Sequence, residues 1–203
     1  MAEIRALFWD VGGVLLSNAW DHHERAQALE QFHLDAAEFQ ARHEMLVSPF
    51  ERGKITLDEY LDRTVFYKPR TFSREAFRDA MFALSQPFPD VLDFAGKLAA
   101  SGRWLMGTIN NESRELNNFR IGRFGLREIF RIFLSSCYVG LRKPERDIYR
   151  LALETTQMAA EACCFIDDRP VNLECAAQLG MKTIQMQNRQ QLAADLEKLG
   201  VSL

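Results

Sequence analysis

Several features are absent from this sequence, and each absence excludes a class of protein. No apolar run approaches the roughly 18–20 residues that a membrane-spanning helix needs. The 25 basic and 28 acidic side chains give a net charge of −3, whereas nucleic-acid-binding domains are usually distinctly basic. The amino terminus lacks a basic segment followed by a long apolar stretch, so we expect no signal peptide and a soluble, cytoplasmic protein.

Cysteine is also scarce, and its spacing does not indicate a metal or redox centre. The four cysteines include no CxxC pair, and Cys163 and Cys164 are neighbours within an apolar run. Buried thiols of this kind are typical of the core of a protein in a reducing compartment. The four histidines share no face or tight spacing, so we expect no zinc site.

What the chain does contain is enough apolar surface for a substantial core. It has 203 residues, 47% of them apolar, and chains near this length bury roughly 70% of their unfolded surface. Short apolar runs, typical of strands buried on both faces, occur at Ile4–Trp9, Arg103–Thr108, Ile132–Ser135, Cys163–Ile166 and Lys182–Met186. Helical patterns occupy Pro89–Ser101, Pro144–Gln157, Pro170–Leu179 and Gln190–Leu199. This alternation predicts an α/β fold with a Rossmann-like, doubly wound parallel sheet.

The stretch from about Ser17 to Phe88 breaks the alternation, because it contains no convincing buried strand. Its patterns predict four helices, at Asp21–His33, Asp35–Leu46, Leu57–Phe66 and Ser73–Leu84. We therefore predict an α/β core domain formed by residues 1–16 and 89–203. A small helical cap domain, residues 17–88, is inserted into it.

Polar residues follow four of the predicted strands, where open α/β sheets bind their ligands. These segments are Asp10-Val11-Gly12-Gly13, Thr108-Ile109-Asn110-Asn111, Gly140-Leu141-Arg142-Lys143 and Asp167-Asp168. A carboxylate can attack phosphorus, and paired carboxylates suit Mg²⁺. A hydroxyl and an ammonium can hold phosphate oxygens, and glycines let backbone N–H groups approach them. The four segments together favour phosphoryl chemistry, although each alone is also common at turns and helix caps.

The sequence resembles the haloacid dehalogenase-like (HAD) hydrolase superfamily. The matching motifs are FWDVGGVLL at 8–16, GTINN at 107–111, GLRKPERDIY at 140–149 and FIDDRPVNLECAAQLGMKTI at 165–184. Within the superfamily it is similar to the helical-cap branch of bacterial sugar-phosphate phosphatases, including those similar to α-glucose-1-phosphate phosphatase. The resemblance implies an Mg²⁺-dependent phosphomonoester hydrolase that acts on a small phosphorylated metabolite through an aspartyl-phosphate intermediate. No nucleic-acid or membrane partner is expected.

The resemblance also implies a role for each matching residue. Asp10 would be the nucleophile, with Thr108 and Lys143 as the other catalytic residues. The metal ligands would be Asp10, the backbone carbonyl of Gly12 and Asp168. The phosphate-binding set would be Gly12, Gly13, Thr108, Asn110 and Lys143. Asp167 and Asn172 would support the acidic pair.

Gly12 departs from the usual phosphatase pattern, which has a second aspartate there as the general acid–base. Such help is worth roughly 10²–10⁴-fold in rate. His22 or His23, at the start of the cap, could supply the proton instead. Gly12 also keeps two alternatives open, a catalytically weak or inactive phosphatase-like binding protein and a haloacid dehalogenase. The Asp167-Asp168 pair argues against the dehalogenase, whose branch works without metal. We expect Trp20 to line a substrate pocket.

Overall fold

A computed structural model describes residues 2–203 and contains a five-stranded, all-parallel sheet. The strands are β1 (Ala6–Trp9), β2 (Leu105–Asn110), β3 (Ile132–Ser135), β4 (Cys163–Asp167) and β5 (Lys182–Gln185). Their order is β3-β2-β1-β4-β5, so the first strand lies at the centre. In the register, Trp9 of β1 is opposite Thr108 of β2 and Ile166 of β4. The carboxyl ends of these three strands therefore lie side by side.

Helices cover both faces of the sheet, which confirms the predicted doubly wound α/β fold. The core helices are α5 (Pro89–Ala100), α6 (Arg114–Arg123), α7 (Leu126–Ile129), α8 (Ser136–Val139), α9 (Arg146–Thr156), α10 (Pro170–Ala177) and α11 (Arg189–Lys198), with a short 3₁₀ helix at Ala160–Ala162. Alternate side chains of β1 enter different apolar clusters. Leu7 and Trp9 pack on one face, and Phe8 packs on the other. Burial on both faces explains why the strand is apolar at every position.

Four further helices lie between β1 and α5, as the sequence predicts. They are α1 (His22–Gln31), α2 (Ala36–Glu51), α3 (Leu57–Thr64) and α4 (Arg74–Ala83), called the cap helices from here on. The N-cap residues of α2, α3 and α4 are Asp35, Thr56 and Ser73. Their side chains accept hydrogen bonds from backbone N–H groups in the first turn of each helix. The cap helices share an aromatic-rich apolar cluster that includes Trp20 and Tyr60, and helix α6 of the core contributes Leu116 to it. The division into two domains at residues 17 and 88 stays a prediction.

Several boundaries differ from the prediction. Strand β2 covers Leu105–Asn110, two residues further along the chain than predicted, and its pairing with β1 starts at Leu105 opposite Ala6. Because the strand continues to Asn110, Thr108 lies inside it rather than at its end. Helix α2 continues through Pro49 to Glu51 instead of ending at Leu46. Helix α6 had not been predicted at all.

Three of the four cysteines lie in the core. Cys137, Cys163 and Cys164 are buried and form no disulfide, and burial raises the pKa of each of these thiols. Within residues 2–203, no helix combines the length and the apolar character that crossing a membrane requires.

Candidate active site

Asp10 directly follows the central strand, and hydrogen bonds to Ile166 and Val11 hold it in place. Its backbone N–H donates to the Ile166 carbonyl of β4 at 2.8 Å, and its Oδ1 accepts from the Val11 N–H at 2.8 Å. The side chain is nearly buried, with 7% of the residue exposed. Asp10 is therefore presented from a fixed backbone at the carboxyl edge of the sheet.

Lys143 connects Asp10 with Asp167. Its Nζ lies 2.7 Å from Asp10 Oδ1 and 2.7 Å from Asp167 Oδ2. Asn111 holds the Lys143 backbone, because its amide donates to the Lys143 carbonyl at 2.9 Å and accepts from the Lys143 N–H at 2.8 Å. Burial lowers the pKa of the ammonium, but the carboxylates of Asp10 and Asp167 outweigh burial and raise it. Lys143 therefore stays charged between the two acids.

Asp167 is fully engaged by hydrogen bonds. Besides Lys143, it accepts from the Asn172 amide at 3.0 and 3.1 Å and from the Arg169 N–H at 2.8 Å. Asn172, predicted only as a supporting residue, touches Asp167 directly. With its oxygens occupied by donors of this chain, Asp167 can orient Lys143 but has little capacity left for a ligand.

Asp10, Asp167 and Asp168 form an acidic cluster that fits a divalent cation. One carboxylate oxygen from each lies within 4.8 Å of the others. In the part of the chain that the structure describes, the Oδ1 atom of Asp168 is buried without a hydrogen-bond partner. Burial raises the pKa of Asp10 to about 7 despite Lys143, and burial and the Asp167 carboxylate raise that of Asp168. Asp10 and Asp168 accept fewer hydrogen bonds than Asp167 does, and crowded carboxylates of this kind are typical of a site completed by a hard cation such as Mg²⁺.

Gly13 leaves the space that this cluster needs. A Cβ atom there would lie 2.4 Å from Asp168 Oδ2, and the backbone has a φ of +73°. One expectation about this residue is wrong, since its N–H is not free for phosphate. It donates to the Leu16 carbonyl at 2.8 Å, which closes the turn after β1. What Gly13 contributes is the absence of a side chain beside Asp168.

Thr108 and Asn110 are both buried in β2, next to the end of β1. The Thr108 hydroxyl is fully buried and has no hydrogen-bond partner among the described residues. An unsatisfied buried hydroxyl is costly, so its retention suits a ligand that completes it. Asn110 is 3% exposed and lines the cavity described next.

A cavity of about 320 Å³ opens above these residues, between the core and the cap helices. Its core wall consists of Asp10, Gly12, Asn110, Asn111, Glu112, Arg120, Arg142, Lys143, Pro144, Arg169, Val171 and Asn172. Its cap wall consists of Asn18, Trp20, Asp21, Arg25, His43, Val47, Phe50 and Glu51. Trp20 is thus where the sequence analysis expected it. Thr108, Gly13 and the Asp167–Asp168 pair lie outside this lining.

The histidine hypothesis does not hold. His22 and His23 are exposed and do not line the cavity, and His23 instead contacts Gln27 at 2.9 Å. The histidine that does line it is His43, whose Nδ1 lies 2.7 Å from the Tyr60 hydroxyl. Burial lowers the pKa of His43 to about 4, and the charge of Arg25 acts in the same direction. A neutral His43 at pH 7 has no proton to donate as an imidazolium.

The space beside Gly12 is filled by residues that the sequence analysis missed. A Cβ at Gly12 would lie 3.1 Å from Asn18 Oδ1 and 3.8 Å from Arg120 Nη1. Arg120 is 2% exposed, pairs with Glu112 at 2.9 Å and donates to the Ser17 carbonyl at 2.7 Å. An amide and a guanidinium thus occupy the surroundings in which many phosphatases place their second aspartate.

The loop that carries Lys143 is tied to the carboxyl end of cap helix α2. Arg142 pairs with Glu51 at 2.6 Å, and Arg52 donates to the Gly140 carbonyl at 2.6 Å and pairs with Glu145. Motions of the cap helices would therefore reach the Lys143 loop directly.

Comparison with known proteins agrees with this geometry. Residues 4–180 match the haloacid dehalogenase-like hydrolase family. Flavin mononucleotide hydrolase 1 of Arabidopsis thaliana is 28% identical over 81% of this chain. The chain spans 66% of the length of that relative. It spans 39% and 40% of two further relatives, bifunctional epoxide hydrolase 2 of Rattus norvegicus and of Sus scrofa.

Two solved structures share the fold. A predicted HAD-like family hydrolase from Porphyromonas gingivalis superposes with a TM-score of 0.80 at 20% identity, covering 100% of both chains. A HAD family enzyme from Bacteroides thetaiotaomicron, in complex with magnesium and inorganic phosphate, gives a TM-score of 0.74 at 21% identity over 91% of this chain and 94% of its own. The chain belongs to the haloacid dehalogenase-like hydrolase family.

Proposed function

We propose that this hydrolase cleaves phosphate monoesters of small metabolites, with Asp10 as the nucleophile and Mg²⁺ as the cofactor. The observation that carries the proposal is the shared position of Lys143, 2.7 Å from both Asp10 and Asp167 at the edge of the acidic cluster. It is supported by the magnesium and phosphate of the Bacteroides neighbour. A sugar phosphate is one substrate that the similarity to sugar-phosphate phosphatases suggests.

The residues of the chain divide the proposed reaction into two displacements. A carboxylate oxygen of Asp10 forms a bond to phosphorus while the ester P–O bond breaks, and the leaving oxygen takes a proton to become an alcohol. Water then attacks the acyl phosphate, loses a proton, and releases inorganic phosphate and Asp10. Lys143 and the Thr108 hydroxyl would donate hydrogen bonds to the phosphoryl oxygens throughout.

Asp10, Asp168 and the Gly12 carbonyl would hold the metal. When bound, Mg²⁺ offsets negative charge on the carboxylates and on the phosphoryl group. The chain's own part is to keep Asp10 ionised and fixed. Lys143 contributes to this electrostatically, because it opposes the effect of burial on the Asp10 pKa.

The test is phosphate release from a panel of small phosphomonoesters, with and without Mg²⁺. We expect turnover by the natural chain with Mg²⁺ and none by Asp10→Asn. Asp147→Asn, an exchange of the same type at an exposed position of α9, is the matched control. Release that survives in Asp10→Asn, or that ignores Mg²⁺, would refute the mechanism.

A second candidate function rests on Gly12. A chain without the acid–base aspartate could bind a phosphate ligand in the presence of Mg²⁺ and turn nothing over. Calorimetric binding of inorganic phosphate, together with no release from any ester of the panel, would favour this binding function over hydrolysis.

A further inference from the structure

The cavity holds one positive charge that its own acids do not balance. Its cationic side chains are Arg25, Arg120, Arg142, Lys143 and Arg169. Four of them have a carboxylate partner, namely Glu112 for Arg120, Glu51 for Arg142, Asp10 for Lys143 and Asp21 for Arg169. Within residues 2–203, no carboxylate forms an ion pair with Arg25. Arg25 is therefore the cation left available to a ligand.

Arg25 is buried and held in place. Only 8% of the residue is exposed, although it carries a full charge. Its Nη1 donates to the Trp20 carbonyl at 2.6 Å, which anchors the guanidinium at the start of α1. Its Nε is buried and has no hydrogen-bond partner among residues 2–203. A buried charge with an unused donor is unfavourable unless something completes it.

The neighbours of Arg25 do not supply that completion. His43 is neutral near pH 7, because burial and the Arg25 charge lower its pKa to about 4. Tyr60 receives the Trp20 indole N–H at 3.1 Å and contacts His43 at 2.7 Å, so its hydroxyl is already engaged. The counter-charge for Arg25 must come from the ligand.

The unpaired charge of Arg25 suits a carboxylate as its ligand. A guanidinium donates two parallel N–H bonds to a carboxylate, and one such pair cancels one charge of each sign. Sugar hydroxyls would leave the charge unbalanced. A second phosphate would bring about two charges, whereas the cations nearby, Arg142 and Arg169, are already paired with Glu51 and Asp21.

We propose that Arg25 binds a carboxylate on the leaving group, so that the substrate is a small phosphorylated carboxylic acid. The inference rests on the proposed phosphatase function and adds the substrate class to it. The core wall would hold the phosphoryl group through Lys143, and the cap wall would hold the carboxylate through Arg25. A cavity of about 320 Å³ lies within the range usual for small-molecule sites.

Two esters isolate the effect. Glycerol 3-phosphate and 3-phosphoglycerate differ only at the carbon furthest from the phosphate. That carbon is a hydroxymethyl group in glycerol 3-phosphate and a carboxylate in 3-phosphoglycerate. We expect the natural chain to prefer 3-phosphoglycerate in kcat/KM. In Arg25→Met that preference should fall about tenfold to a hundredfold, the range for losing a charged hydrogen bond. The change should appear mainly in KM for 3-phosphoglycerate.

Two further variants separate binding from folding. Arg25→Lys keeps the charge without the guanidinium fork, and should retain part of the preference. Arg78→Met makes the same exchange as Arg25→Met at a cap residue outside the cavity lining, and should keep all of it. Thermal unfolding of each variant would reveal any loss of folded protein. Equal kcat/KM for the two esters in the natural chain would overturn the inference while leaving the phosphatase function intact.

A binding measurement keeps the inference testable if neither ester is hydrolysed, an outcome that would count against the phosphatase function itself. Calorimetry with Mg²⁺ would then compare 3-phosphoglycerate and glycerol 3-phosphate on the natural chain and on Arg25→Met. Tighter binding of 3-phosphoglycerate that depends on Arg25 would support the carboxylate site. Equal affinities, or a preference unchanged in Arg25→Met, would overturn it.

Discussion

The two walls of the cavity are built in different ways. The core wall presents Asp10 and Lys143 from segments beside strand ends, and their positions follow from the register of a parallel sheet. The cap wall presents Arg25 and His43 from α1 and α2, and Trp20 from the segment before α1. These elements pack around an aromatic cluster to which Leu116 of α6 also contributes. A sheet edge can recognise the phosphoryl group that the proposed substrates share, whereas a helical wall can vary without disturbing that edge. The comparison teaches that chemistry and selectivity occupy separable parts of this molecule.

The separation is incomplete, because the two walls contact each other at several places. Glu51 and Arg52, at the end of α2, contact the loop that carries Lys143. The cap helices therefore also help to position a catalytic group. The predictions below test how far the two walls are independent.

The largest effect is expected on the core wall, at Lys143. Lys143→Met leaves Asp10 and Asp167 buried without their shared cation. We expect phosphate release to fall by on the order of 10³-fold. Without metal, the free energy of unfolding should fall by about 3–5 kcal/mol. Steady-state kinetics and urea unfolding measure the two effects, with Lys97→Met, at a surface position, as control. An active Lys143→Met would show that Lys143 is structural only.

The next effect concerns Gly13, which can be compared with Gly140. Both have a positive φ, +73° and +72°, but a Cβ at Gly13 meets Asp168 Oδ2 at 2.4 Å, whereas one at Gly140 meets nothing within 4 Å. Each alanine variant should lose about 1–2 kcal/mol of stability from the left-handed backbone. Only Gly13→Ala should also bind Mg²⁺ about 10–100-fold more weakly. Calorimetric Mg²⁺ titration checks this, and equal Mg²⁺ affinity in both variants would contradict it.

A smaller effect is expected at Gly12, and it is an increase in kcat. Gly12→Asp alone should help little, because its Cβ would lie 3.1 Å from Asn18 Oδ1. Gly12→Asp combined with Asn18→Ala makes room for a carboxyl group able to exchange protons with the leaving oxygen. We expect kcat on an alkyl phosphate to rise about tenfold, below the full range for general acid–base catalysis. Asn18→Ala alone is the control. No gain in the double variant would mean that proton transfer does not limit the rate.

The acidic residues that follow the strands could be predicted from the sequence because their signals are local. A buried apolar run followed by Asp10 or by Asp167 is recognisable without knowledge of the rest of the fold. The start of β2 was predicted two residues too early, at Arg103, because the apolar run alone does not show that pairing with β1 begins at Leu105. Thr108 nevertheless remained next to the end of β1.

The cap wall and helix α6 could not be predicted in the same way. The buried face of α6 includes Asn117 and Arg120, so it lacks the apolar periodicity by which a helix is recognised. Arg120 is buried because Glu112, a residue outside the helix, pairs with it. Arg25 and His43 likewise reach the cavity only through tertiary packing, whereas adjacency to the first motif favoured the exposed His22 and His23.

The smallest effect is expected from the cap wall, as a pH dependence of stability. Burial lowers the pKa of His43 from 6.5 to about 4, so the folded state binds its proton more weakly than the unfolded state does. The resulting stability is fully present above about pH 6.5 and is lost as the pH falls towards 4. Because solvent screening reduces the effect of a partly exposed group, the loss between pH 7.5 and pH 5 should be about 1 kcal/mol.

His43→Gln removes the titrating group while keeping a side chain that can contact the Tyr60 hydroxyl. Its free energy of unfolding should therefore change less between pH 7.5 and pH 5 than that of the natural chain, as urea unfolding at each pH would show. Arg25, Asp21 and Arg142 also act on His43, and Arg25 contributes to the lowered pKa. Arg25→Met should accordingly reduce the pH dependence without abolishing it. If His43→Gln kept the full dependence, the acid sensitivity would lie in another part of the molecule.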